Sequence, residues 1–120
     1  MWISIQTKHC KLSQRMRQSI DTHVRRALRR EHRQIGSIVL AISPTKLGVE
    51  PGYQCRLRIW SHYLGIFVVS EIGHTIRSTI QQATACGRHA VRRRLHKRLS
   101  RFRRVKRGRL ASRFADSMLD

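Results

Sequence analysis

The chain has 120 residues, 40% of them hydrophobic, with 26 Lys and Arg against 6 Asp and Glu and a formal net charge of +20. That length suits one domain with a modest core, but the charge excludes an ordinary soluble surface, where a net magnitude of about 2–8 is usual. A polyanion relieves such self-repulsion, and nucleic acid is the leading partner because each phosphate neutralised releases condensed counterions.

Trp2-Ile3-Ser4-Ile5-Gln6 alternates with period two and predicts a first strand. Ser13 is a good N-cap for a long helical pattern with Met16, Ile20, Val24, Ala27 and Leu28 on one face, ended by Gly36. Its opposite face collects Arg15, Arg25, Arg26, Arg29, Arg30 and Arg33. Ser37 to Ser43 is a β-branched apolar run, hence the second strand. Pro44 to Gly52 holds two prolines and two glycines and reads as a loop of nine residues. Tyr53 to Trp60 alternates, with Tyr53, Cys55, Leu57 and Ile59 on one face and Arg56 and Arg58 on the other. It predicts a third strand in a sheet with one face covered and one open. Ser61-His62-Tyr63 is the expected turn, and Leu64 to Ser70 the fourth strand. Thr75 can cap a second helix whose seam is Ile76, Ile80, Ala83, Gly87, Val91 and Leu95.

The expected fold is α+β, a single β-α-β-β-β-α domain with a four-stranded sheet and two helices packed on one face. Residues 1–100 form the domain and 101–120 a basic C-terminal extension. From Ile72 to Ala115 there is no acidic residue, and twelve of the twenty-two residues from Arg88 to Arg109 are Lys or Arg. Helices lying side by side merge their outward faces into one basic surface. Arg25, Arg26, Arg29, Arg30 and Arg33 from the first helix, with Arg88, Arg92, Arg93 and Lys97 from the second, are the expected RNA contacts. Arg101 and Arg104 of the extension join them. Long helices so rich in arginine suit phosphate positioning rather than base reading, and structured RNA fits them better than a DNA sequence.

Other chemistries find little support. No apolar run approaches a membrane span. The amino terminus alternates where a signal peptide would be apolar, so a cytoplasmic protein is expected. Cys10, Cys55 and Cys86 form no close pair and read as reduced thiols, with Cys55 and Cys86 serving packing. The histidines lack the spacing of a zinc site. The six acids are isolated and offer no acid–base pair, and Glu71 reads as a favourable charge near the start of the second helix. Neither a cofactor nor a small-molecule substrate nor an enzyme is expected.

From Trp2 to about Leu99 the chain resembles the ribosome hibernation-promoting factors, also called the ribosome-associated inhibitor or sigma-54 modulation family, in their short form. The matching stretches are Ile3-Ser4-Ile5, then Lys11-Leu12-Ser13 before Met16-Arg17, Ile38-Val39-Leu40 and Cys55-Arg56-Leu57-Arg58-Ile59. Thr79-Ile80-Gln81 falls where that family has Ala-Ile-Asp, and Val91 to Lys97 corresponds to its basic helix end. The chain departs from the pattern at Gln81, where an acid is expected, at Arg77, near the family's aromatic, and at Cys86, near a helix lysine.

The resemblance implies a translation inhibitor that occupies the mRNA and tRNA channel of the small ribosomal subunit. It would contact that subunit's rRNA and hold idle ribosomes inactive. Off the ribosome a monomer is expected. The residues alone reach a compact domain with a basic face for structured RNA. A structural ribosomal protein, a modulator of a transcription sigma factor and a small nuclease using His89 or His96 stay open as alternatives.

Overall fold

The computed structural model describes the backbone from Met1 to Leu119 and the side chains from Met1 to Ser100. Strand β1 (Trp2–Thr7) leads to helix α1 (Gln14–Ala27), a 3₁₀ turn (His32–Gln34), strands β2 (Ser37–Leu47), β3 (Glu50–Ser61) and β4 (Gly65–Gly73), and helix α2 (Ile76–Leu119). The sheet order is β1-β2-β3-β4. β1 runs parallel to β2 across the α1 crossover, while β2, β3 and β4 are successive antiparallel neighbours.

Register puts one apolar row beneath the helices. Ile5 faces Leu40, Leu40 faces Leu57, and Leu57 faces Val69; a second row joins Ile3, Ile38, Ile59 and Phe67. Ile20 and Val24 of α1, Leu28 just beyond it, and Ile80, Ala83 and Val91 of α2 complete the same buried cluster. Ile38, Leu40, Leu57 and Ile59 are fully buried, and each such side chain contributes about 1.5–3 kcal/mol of transfer free energy. Gly87 lets α2 lie close on the sheet. A Cβ there would lie 2.7 Å from Leu57 Cδ2 and 3.3 Å from Ile59 Cδ1. Both helices thus lie on one face, as the alternation predicts, and the other face is open.

Helix starts follow the expected caps. Ser13 Oγ accepts from the Met16 amide at 3.1 Å, and Thr75 Oγ1 accepts from the Ser78 amide at 3.1 Å. The first helix, however, ends at Ala27 rather than at Gly36. Leu28 closes it by donating to Val24, and a turn and the 3₁₀ segment follow. Periodicity could not show this break. Leu28, Glu31 and Ile35 remain buried through the turn at the spacings a continuing helix would use. Arg29, Arg30 and Arg33 therefore sit on the turn and the 3₁₀ segment, not on α1.

The expected nine-residue loop is instead a hairpin. β2 and β3 pair continuously from Ser37–Trp60 to Leu47–Glu50, joined by Gly48 and Val49. Gly48 has φ +66° and comes first of the two, the pattern of a type II′ connection. Pro44 and Pro51 are tolerated because β1 pairs with β2 only as far as Ile42, and β4 with β3 only from Tyr53. The second hairpin turns at His62 to Leu64, where Ser61 Oγ accepts from the amides of Tyr63 and Leu64 at 3.3 and 3.2 Å.

Helix α2 continues without interruption past Leu99 through 44 residues, a length of about 66 Å at 1.5 Å per residue. Its upper part is fastened to the β3–β4 turn. Arg94 stacks over Phe67 at 4.4 Å, and Arg98 lies 5.1 Å from the Tyr63 ring centroid and donates to the Tyr63 carbonyl.

Candidate nucleic-acid interface

Where the end of α1 and the following turn meet the middle of α2, a groove of about 410 Å³ opens. Five arginines line it, Arg26, Arg29, Arg30, Arg88 and Arg92, with Ala27 and a single carboxylate, Glu31. The turn that breaks the first helix builds this place. It lowers Glu31 into the interior, where 4% of the residue stays exposed, while Arg29 and Arg30 remain at the surface.

Glu31 Oε1 accepts from Arg92 Nε at 2.6 Å, across 61 residues of sequence. Arg92 is half-exposed, so one end of its guanidinium is anchored and the rest stays available. Glu31 Oε2 and Arg88 Nε are buried with no protein partner among the described residues. One carboxylate cannot balance five guanidiniums, so the groove keeps a strong positive field. A rigid fork of five N–H donors on each arginine matches the geometry of phosphate oxygens.

The expected contacts divide into groups. Arg26, Arg29, Arg30, Arg88 and Arg92 converge on the groove. Arg33, Arg93 and Lys97 are exposed outside its lining. Arg25 is engaged by its own fold: its Nε donates to Asp21 Oδ1 at 2.7 Å and its Nη1 to the Met1 carbonyl at 3.2 Å. Arg101 and Arg104 lie outside the residues whose side chains are described. Sequence reading missed Glu31, the residue that fixes Arg92. Its only signal was an acid set among Arg29, Arg30 and Arg33 and three residues beyond buried Leu28.

Glu71 also differs from expectation. It lies in β4 opposite Cys55, on the helix-covered face, and accepts from Cys86 Sγ at 2.9 Å. That hydrogen bond raises the Cys86 thiol above its ordinary value, with burial and the carboxylate charge adding to it. Burial pushes Cys55 up to about 12. Both shifts favour the neutral thiol over the nucleophilic thiolate. Among the described residues, no three His, Cys, Asp or Glu side chains gather closely enough to hold a metal ion. No helix there is long and apolar enough to cross a membrane.

Fold and site together define a β-α-β-β-β-α domain with an arginine-lined groove on its helical side. No protein-family model matches the chain, and no curated protein does. Solved structures do. A ribosomal subunit interface protein from Coxiella burnetii aligns over 78% of this chain and 96% of its own, with 11% identity and a TM-score of 0.63. The N-terminal domain of Thermus thermophilus Protein Y aligns over 78% and 98%, with 15% identity and a TM-score of 0.58. At these identities the likeness is one of fold, and it is the fold that the sequence resemblance implied.

Proposed function

We propose that the protein is a non-enzymatic, cytoplasmic ribosome-binding factor that inhibits translation by occupying the mRNA and tRNA channel of the small subunit. The observation that carries this reading is the convergence of five arginines on one groove in a fold shared with a protein described as a ribosomal subunit interface protein. Phosphates of rRNA would seat against Arg26, Arg29, Arg30, Arg88 and Arg92. Arg33, Arg93 and Lys97 extend the contact along the backbone, and Arg25 contributes long-range field more than direct contact. Arg101 and Arg104 would follow the RNA along the extension. Inhibition needs no chemistry: a domain in the channel excludes mRNA and tRNA and keeps an idle ribosome inactive.

The test is sedimentation of the protein with ribosomes from growing and starved cells, followed by cell-free translation and an RNA-integrity gel. Co-sedimentation with the small subunit, inhibition by excess protein and intact RNA are expected. With about six phosphate contacts, affinity falls on the order of a thousandfold between 50 and 200 mM salt. Binding insensitive to salt, or translation unaffected by excess protein, overturns the reading. Permanent residence on subunits without inhibition would mark a structural ribosomal protein. Binding to a sigma factor but to neither subunit would mark a transcription modulator.

A further inference from the structure

The face of the sheet away from the helices has a chemistry that the arginine groove does not use. Trp2, Ser37, Trp60 and Ile66 stand in one cross-strand row, and Val39, Arg58 and Val68 in the next. Trp2 is 72% exposed, Ile66 52%, Val68 51% and Trp60 37%. Isolated apolar residues on a surface need no explanation, but a contiguous patch of this kind marks a binding site. Trp60 is held in place rather than loose. It meets His62 edge to face at 4.5 Å, and its ring lies over Gly36, where a Cβ would collide with it.

Charge identifies the occupant. Arg56 and Arg58 project from this face and are exposed. Its one acid among the described residues, Glu50, lies at the hairpin tip, 3.6 Å from His74. Exposed indoles beside arginines that have no carboxylate partner among the described residues form the arrangement that stacks bases and holds a backbone. The two indoles stand two strand spacings apart, about 10 Å, and present π-faces for bases beside cations for phosphates. A second copy of the chain would bring a further +20 against this one.

We infer that the open sheet face is a second nucleic-acid site, which takes unpaired RNA by stacking bases on Trp2 and Trp60 while Arg56 and Arg58 hold the phosphates. The helical side would then grip structured RNA by its backbone as the sheet side captures a single strand. This inference rests on the sheet face alone and stands whether or not the ribosome is the target.

Both tryptophans of the chain lie on this face, so all indole emission reports it. The full chain is titrated at low salt with a short oligouridylate and with an RNA duplex of the same length. The oligouridylate is expected to quench the emission, and the duplex, whose bases are already stacked, to bind without quenching. Trp2→Ala should weaken oligouridylate binding by about five- to a hundredfold with no change in duplex retention or thermal midpoint, and Trp2→Phe should restore it. Absence of quenching, equal quenching by duplex, or unchanged affinity in Trp2→Ala overturns the inference. So does a concentration-dependent dimer in sedimentation velocity that Trp2→Ala dissolves, which would give the face to a second copy. Loss of ribosome binding in Trp2→Ala without RNA quenching would give it to a protein and equally sink the idea.

Discussion

Replacing Glu31 by Gln keeps the volume and one acceptor oxygen but removes the only carboxylate that lines the arginine groove among the described residues. The bond at stake, Arg92 Nε to Glu31 Oε1, is 2.6 Å long, with 5% of the Glu31 side chain and 44% of the Arg92 side chain exposed. A hydrogen bond to a charged group contributes about 1.5–3 kcal/mol, and solvent at the arginine end discounts that figure. Loss of the carboxylate also relieves its desolvation, because Oε2 has no protein partner among the described residues. Against this relief, five arginines lose their local counter-charge. The net expectation is a loss of about 1 kcal/mol, or roughly 4–8 °C in the thermal midpoint for a domain of this size. Circular dichroism melts at low and moderate salt check it. The deficit should shrink as salt screens the arginine repulsion. The same variant should bind an RNA duplex more tightly at low salt and steepen the salt slope by up to about 0.9. A midpoint equal to or above that of the wild type at low salt would refute the claim that Glu31 relieves repulsion among the groove arginines.

Gly36→Ala should cost about 1–3 kcal/mol by overpacking, since the new Cβ runs into the Trp60 ring; a shifted indole emission maximum with a lowered midpoint checks it. Cys55 should resist a thiol-specific disulfide reagent at pH 8 in the native protein and react only on unfolding, read by mass spectrometry. Its neutral thiol is favoured by the fold, so the associated stability is fully present below about pH 9.0 and is lost as the pH rises toward about 12. Truncation after Ser100 should leave the thermal midpoint nearly unchanged, because none of the described core residues lies beyond Val91. It should also reduce the salt slope of RNA binding by about 0.7–0.9 for each phosphate that the shortened chain no longer neutralises.

Strand alternation from Tyr53 to Trp60 and the apolar seam from Ile76 to Leu95 made the sheet and the helical layer legible, because burial on one face imposes a period that residue types display. Turn chemistry was less legible. Two prolines and two glycines between Pro44 and Gly52 signal a loop, yet a hairpin accepts prolines wherever a strand has a neighbour on one side only. The groove was half legible. Arginine runs announced a basic face, and five of the expected contacts do converge. Which five, and the carboxylate that orders one of them, depended on a helix break that leaves the 3.6-residue rhythm intact. A pairing over 61 residues of separation has no local trace.

The hairpin arm beyond Ile42 and Tyr53 has a consequence for how the protein behaves in bulk. Ile38 to Ile42 is an uncharged apolar run without proline or glycine, the composition that templates cross-β assembly when its edge is bare. In the fold that run is sealed between β1 and β3. Where the sealing stops, the outer borders of β2 and β3 begin, and each carries a proline, Pro44 or Pro51, that withholds an amide donor. The arm therefore ends as a poor seed for growth, and the surrounding cations keep neighbouring molecules apart. Exchanging both prolines for threonine would lengthen the continuous row of donors, and the gain in strand propensity would be offset by a chain that polymerises once its charge is neutralised by polyanion.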